Sequence, residues 1–488
     1  MTASLAPNIP RATLVGLMLA TLLGALDQTI VAVSLPAISA QFGDVGLLAW
    51  VVSGYMVAMT IAVPLYGKLG DLYGRRLMIL TGTAIFTLAS VACALAQDMP
   101  QLIAARVLQG LGAGGMISVS QAIVGDLVPP RERGRYQGYF SGMYAVASVA
   151  GPVLGGGLTE YLSWHWVFWV NLPLGLCTWW ALHRALHRAL GRSGRTRPEA
   201  RVDYAGAVLL TLGLGSLLLS ITWVGQGHPW TSPAVVGLAA VALVGLIAFV
   251  AHERRTAQPL MPLHLFGNPV AVLCWTTLFF ASFQSISLTM LEPLRVQSVT
   301  GSGADSAALH LLPLAMGLPI GAFSGGRLTS RTGRYKPQIL TGALLMPLAI
   351  LGLAFTPVQA GLPSALCLLL IGIACGLQFP TSLVGAQSAV APHDMGVVTS
   401  TTNLFRSLGG AVGVACMSSA LLALMLQAGL WRFEGGNLLL DSMQSQDQGV
   451  AAGLSGVFRH LLVGSAVVSL LGTLAALALP DRPLRGRS

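Results

Sequence analysis

The stretch Gly67-Lys68-Leu69-Gly70-Asp71-Leu72-Tyr73-Gly74-Arg75-Arg76 (GKLGDLYGRR) returns in altered form as GRLTSRTGRY at 326–335. Each copy follows an apolar run of about 20 residues, the length that spans a bilayer, and precedes another. A second repeat lies downstream of each copy. Gly110, Gly114, Val128, Pro130, Glu132 and Gly134 align with Gly372, Gly376, Val390, Pro392, Asp394 and Gly396, all at one offset, three residues longer than that of the first match. Self-similarity of this kind marks a chain built from related units. Both matches put a loop on the same side in the same orientation, so the units are parallel repeats of six helices each.

Composition agrees with a membrane fold. Of 488 residues 54% are hydrophobic and 9% charged, where a soluble chain carries roughly a quarter charged. The 58 glycines suit helices that approach closely. The net charge of +10 is no nucleic-acid footprint, because the basic residues gather in every second loop: Lys68 to Arg76, Arg131 to Arg135, Arg184 to Arg201, Arg254 and Arg255, Arg327 to Lys336, and Arg482 to Arg487. The alternate loops hold only Arg295 and Arg432, with Arg459 at a helix edge. The positive-inside rule then places both termini in the cytoplasm. Six cysteines stand inside apolar stretches without a CxxC pair, which reads as buried thiols with neither metal site nor disulfide framework. The amino terminus reads as a retained first helix and not a signal peptide.

Apolar runs predict about fourteen transmembrane helices near 12–35, 46–66, 77–97, 101–126, 135–158, 164–184, 204–224, 232–251, 270–293, 306–326, 337–357, 362–389, 396–427 and 455–479. The expected fold is therefore an all-α membrane protein of two parallel six-helix bundles plus two inserted helices. The bundles are 1–184 and 270–488, the inserted pair is 204–251, and cytoplasmic linkers cover 185–203 and 252–269. The basic linker suits a helix lying on anionic headgroups or a solvated connection equally well. The outer connection at about 428–453 reads as a loop or small hairpin.

Asp27, Arg106 and Arg406 fall deep inside predicted spans. Each costs about 2.5–3.5 kcal/mol on insertion scales, so each is kept with a partner, an aqueous cavity or a task. Asp27, in LDQTIVAVSLP, is a candidate proton carrier. Arg106 enters the fourth helix from the outer face to a similar depth. Together they make either a permanent ion pair that fixes packing or a proton switch. Arg406 has no carboxylate at its depth and suits an anionic substrate group or a backbone carbonyl. Glu160 and Glu292 lie near outer helix ends where water reaches, with Glu292, beside Pro293, a further candidate for coupling. Gly151-Pro152-Val153-Leu154-Gly155-Gly156-Gly157 removes one backbone donor and permits close packing or bending. Tyr55, Tyr144, Phe283, Gln284 and Phe405, with Arg406, are candidates for a substrate cavity between the halves.

Taken together, these segments resemble the major facilitator superfamily and, within it, the fourteen-helix drug:proton antiporter family, over nearly the whole chain. The loop at 67–76 is similar to the superfamily's loop between helices two and three. The resemblance implies that Asp71 and Arg75, with Asp126, lock one conformation at the cytoplasmic face, while Gly67 and Gly74 shape the turn. LIAARVLQGLG at 102–112 is similar to the fourth-helix motif, whose arginine, here Arg106, is associated with proton transfer. Gly151-Pro152 with Gly155-Gly156 resembles the antiporter motif of the fifth helix, which implies export. Leu26-Asp27 with Thr29 to Pro36, and WHWVFWVNLPLG at 164–175, resemble motifs of the fourteen-helix branch. Ala32 stands where that branch has Asn, and His165 where it has Arg.

The function expected from this reading is a proton-coupled multidrug or small-molecule efflux antiporter of the cytoplasmic (inner) membrane, working by alternating access. Its partners are protons, an amphipathic small molecule and the bilayer, with periplasmic adaptors if the cell has two membranes. It needs no cofactor beyond the proton gradient and no metal. Export of a specific metabolite, such as an amino acid, a siderophore or a lipid, and a sensor without flux are the alternatives. A membrane enzyme would gather His and acids at one face, whereas the nine His here are scattered.

Overall fold

Short polar side chains, prolines and glycines set the helix ends. Asp98, Ser232 and Asn268 each accept a first-turn backbone N–H (from Gln101 at 2.8 Å, Val235 at 3.3 Å and Val270 at 3.1 Å) and each precedes a helix with Pro in its first turn. The repeat shows in the backbone itself. Gly74 (φ 91°) and its counterpart Gly333 (φ 68°) both adopt the left-handed region that a side chain would strain.

The computed structural model describes residues 10–484 apart from 43–44, 190–202, 226–227, 257–258, 302–308, 430–431, 435–436, 440–447 and 482. Its long helices are α1 (Arg11–Phe42), α2 (Val45–Tyr73), α3 (Arg75–Ala94), α4 (Met99–Leu127), α5 (Pro130–Tyr161), α6 (Asn171–Ala189), α7 (Tyr204–Gly225) and α8 (Pro233–Glu253). They continue as α9 (Pro269–Thr300), α10 (Leu312–Thr332), α11 (Lys336–Phe355), α12 (Gly361–Ser388), α13 (Met395–Gln427) and α14 (Gln448–Ala478). Eleven of the fourteen are long and apolar enough to span by themselves. The others, α5, α6 and α10, carry Arg in the turns at their basic ends.

Three local departures from expectation have plain causes. The sixth helix divides into a turn at Trp166–Trp169 and α6, whose Pro173 is tolerated in a first turn. Pro293 does not end α9, which continues to Thr300. The outer connection contains an antiparallel pair, Arg432–Glu434 with Asn437–Leu439, and α14 begins at Gln448; residues 440–447 lie outside the described residues, as do 190–202 of the basic linker.

Packing within the halves is duplicated. The neighbours α1 with α5 and α6, α2 with α4, and α3 with α4 and α6 recur as α9 with α13 and α14, α10 with α12, and α11 with α12 and α14. The contacts between halves obey the same exchange: α2 packs on α13, and α10 on α5. The inserted α7 pairs with α8 and lies along both α2 and α13, outside the first seam. Trp223 of α7 meets Trp50 of α2 edge to face, with ring centroids 6.2 Å apart.

The halves meet most closely at the end that carries the basic loops. A methyl group at Gly67 would stand 2.9 Å from the Gly396 carbonyl oxygen, and one at Gly134 would stand 2.8 Å from that of Gly326. These are the glycines that the repeat aligns, each now touching its partner's counterpart. Along α5 the approach loosens: Gly138 still meets Phe323, while nothing lies within 4 Å of a methyl placed at Gly142.

Candidate functional site

Asp27 is wholly buried halfway along α1 and is surrounded by donors. Arg106 Nη1 of α4 reaches its Oδ2 at 2.5 Å, and the amides of Gln109 and of Asn171 in α6 each donate to its Oδ1 at 2.9 Å. Gln109 Oε1 also accepts from Arg106 at 2.5 Å, and its amide donates to Ser90 of α3 at 2.6 Å. Arg106 Nε donates to the Val51 carbonyl at 3.1 Å, and the guanidinium lies 4.1 Å from the centroid of the Tyr55 ring. Five helices thus fix one carboxylate. An ionised carboxylate only accepts, and here every neighbour donates.

The network also has reversible parts. Gln109 and Asn171 carry an acceptor beside each donor, and Asn171 Oδ1 has no hydrogen-bond partner although it is buried. Rotation of an amide would turn an oxygen towards a protonated Asp27, so the same shell accommodates both charge states.

At the basic end Arg75 binds Asp71, donates through Nε to Asp126 Oδ2 at 2.9 Å and through Nη1 to the Gly67 carbonyl at 3.2 Å. Asp71 faces the first turn of α13 in the other half: a methyl at Gly396 would lie 2.6 Å from its Oδ2. A carboxylate is favoured there by the helix N-terminus. The mirrored position holds Ser330, and the contact is made differently. Arg131 of α5 donates to the carbonyls of Ser330 (2.9 Å) and Arg331 (2.8 Å), the last turn of α10.

Gly151 and Gly155 let α5 lie directly on α1 beside Asp27. A methyl at Gly151 would strike Thr29, and one at Gly155 would stand 2.6 Å from the Ile30 carbonyl oxygen. Thr29 Oγ1 donates to the Ala147 carbonyl at 2.9 Å across the same contact. Pro152 is exposed, and a methyl at Gly156 would meet α1 only at Val33, 4.0 Å away.

Of the cavity candidates, Tyr144 and Arg406 lie between the halves, half-buried, with the guanidinium carbon 5.8 Å from the ring centroid. Tyr55 is enclosed beneath Arg106. Phe405 stacks on Trp275 within the carboxy-terminal half, at 5.5 Å between centroids. Phe283 and Gln284 are buried in that half's core, and the Gln284 amide donates to the Ser465 carbonyl of α14 at 2.8 Å. Glu292 is not solvated: it is 2% exposed, accepts from Arg295 at 3.0 Å and lies 3.6 Å from His310 Nε2. Cys177 and Cys416, expected to be buried, are exposed. Among the described residues no cluster of His, Cys, Asp and Glu could hold a metal ion.

Sequence reasoning missed Gln109, Asn171 and Ser90 as partners of Asp27, and Arg295 and His310 as partners of Glu292. Gln109 and Asn171 sit inside the motifs around 102–112 and 164–175, so their position was the available signal.

Residues 17–414 match the family model of the Major Facilitator Superfamily. The chain is 33% identical over 451 residues to Multidrug transporter protein MdtP of Bacillus subtilis (strain 168), covering 91% of this chain and 80% of that protein. It is 32% identical over 400 residues to Multidrug resistance protein 3 of the same organism, covering 82% and 77%. Its fold is similar to that of the human organic anion transporter MFSD10 (TETRAN), with a TM-score of 0.65 at 16% identity, over 96% of this chain and 99% of that one. With twelve long described helices in two repeated halves, an inserted pair between them in sequence, and relatives that are multidrug transporters, the chain belongs to the major facilitator superfamily.

Proposed function

We propose that this transporter is a proton-coupled efflux antiporter for amphipathic small molecules, working by alternating access in the cytoplasmic membrane with both termini inside. The observation that carries the reading is the enclosure of Asp27 by Arg106, Gln109 and Asn171, a lone carboxylate at midspan whose neighbours serve either charge state. In the conformation described, Asp27 is sealed and its carboxyl oxygens face donors. Opening to the outside would bring water and a proton to it, and Arg106, released, would keep its links to Gln109 and the Val51 carbonyl. The lock of Asp71, Arg75 and Asp126 on α13 holds the basic end closed meanwhile. Each proton returning inward contributes about 1.4 kcal/mol per pH unit and about 2.3 kcal/mol per 100 mV.

The test is a reconstituted flux assay with a panel of cationic, neutral and anionic amphipathic dyes, proton movement being read by a lumenal pH probe. Wild type should exchange at least one dye for protons. Asp27→Asn should retain dye counterflow and lose the response to an imposed pH gradient. Equal proton coupling in wild type and Asp27→Asn would sink the proposal.

A further inference from the structure

Two carboxylates within the described spans are neutralised by an arginine neighbour. Asp27 pairs with Arg106, and Glu292 with Arg295. Among the described residues Arg406 has no carboxylate within ion-pair distance, and no backbone carbonyl accepts from it; its neighbour is the Tyr144 ring of the opposite half. It stands about 16 Å along α13 from Met395. One turn nearer the basic end, the Asn403 amide donates to Gln121 Oε1 of α4 at 2.7 Å and closes the halves beneath it. An unpaired guanidinium at this depth is tolerated only where water reaches it, and Arg406 is only partly buried.

Between the halves one unpaired guanidinium therefore stands beside one aromatic ring. We infer that the cargo is an amphipathic organic anion, its negative group paired with Arg406 and its apolar body against Tyr144. A guanidinium in a low-dielectric cleft binds a carboxylate, sulfonate or phosphate through two parallel hydrogen bonds, and it repels an organic cation. Arg106 does not share this task, since Asp27 already occupies it. The inference rests on the efflux reading and adds an electrical consequence. An anion leaving and a proton entering move charge in the same sense, so an inside-negative potential drives both limbs of the cycle.

The test uses the purified full-length protein and three probes of one shape: 4-(1-naphthyl)butyrate, its primary amide, and 4-(1-naphthyl)butylammonium. Affinities come from ligand-dependent shifts in unfolding temperature. Wild type should bind the butyrate about tenfold more tightly than the amide, the scale of a hydrogen-bonded charge, and the ammonium most weakly. Arg406→Gln should erase that order, and Arg406→Lys should restore part of it. No preference for the butyrate in wild type, or an unchanged preference in Arg406→Gln with wild-type unfolding temperature in the absence of probe, would overturn the inference. Binding needs no proton gradient, so Arg406-dependent binding without proton-driven flux would defeat the efflux reading and leave the anion site standing. Proton-driven flux of cationic dyes indifferent to Arg406→Gln, with no preference for the butyrate, would do the reverse.

Discussion

Arg106 holds Asp27 at 2.5 Å inside a shell from which both side chains are almost wholly withdrawn, with 1% and 0% exposure. Removing one member of such a pair leaves the other buried and unpaired, a loss of about 3–5 kcal/mol, while replacing both with apolar groups is often near neutral. Asp27→Leu should therefore lower the unfolding temperature strongly, and Asp27→Leu with Arg106→Leu should recover most of it. A double variant no more stable than Asp27→Leu would mean that Arg106 is held by its other partners.

Gly67 and Gly396 permit one of the two close approaches of the halves, and neither has room for a side chain. Gly67→Val should disfavour the conformation closed at the basic end without unfolding either half, because the clash lies between them. Spin labels at Tyr73 and His393, both exposed, with the exposed Cys177 and Cys416 replaced, would report the distance. The expected outcome is a shift of population towards the longer separation.

Ser330 occupies the place that Asp71 has in the other half, and its buried hydroxyl has no hydrogen-bond partner. Ser330→Asp would put a carboxylate beside the first turn of α5 and beside Arg131. A helix N-terminus favours such a charge by roughly 0.3–1 kcal/mol. The variant should stay closed at the basic end for a larger share of the time, the opposite of Gly67→Val by the same spin-label distance.

His165, between α5 and α6, stacks on Trp164 with centroids 3.8 Å apart, and partial burial lowers its pKa from the usual 6.5. Below 6.5 the unfolded chain binds a proton that the folded chain still refuses, so this group's contribution to stability is full above 6.5 and falls as the pH drops. His165→Gln should flatten the decline in unfolding temperature between pH 7 and pH 5. The imidazole's NMR titration should have its midpoint below 6.5; a midpoint above it would contradict the burial argument.

The fold was legible because a bilayer imposes long apolar runs and the repeat marks which runs correspond. Asp27 and Arg106 stood out because charge is expensive there. Facing was not legible. Along a span, lipid and protein interior are both apolar, so no periodicity separates the buried Phe283 and Gln284 from cavity residues, or the exposed Cys177 and Cys416 from core thiols. Neutral amides such as Gln109 and Asn171 carry too small a penalty to announce themselves. Glu292 was misplaced for a geometric reason: a helix ending at Pro293 would leave it at the surface, whereas α9 continues for two turns and encloses it.

That continuation gives Glu292 a partner on its own helix and neighbours on others. Arg295 donates to Glu292 at 3.0 Å and to the Thr356 carbonyl at 2.8 Å, past the end of α11, while His310 approaches Glu292 and lies 3.0 Å from Ser364 of α12. The group ties α9 and α12 to the segments that follow α11 and precede α10, and it makes no described contact with the other half. Its carboxylate therefore bears on the integrity of the carboxy-terminal bundle, and Asp27 remains the group placed for coupling. Glu292→Gln keeps a hydrogen bond to Arg295 but removes the charge that balances it. The unfolding temperature should fall, and proton-driven flux per folded molecule should stay near that of wild type. If flux were lost while stability held, Glu292 would belong with Asp27 in the proton path, and the duplicated fold would carry a coupling carboxylate in each half.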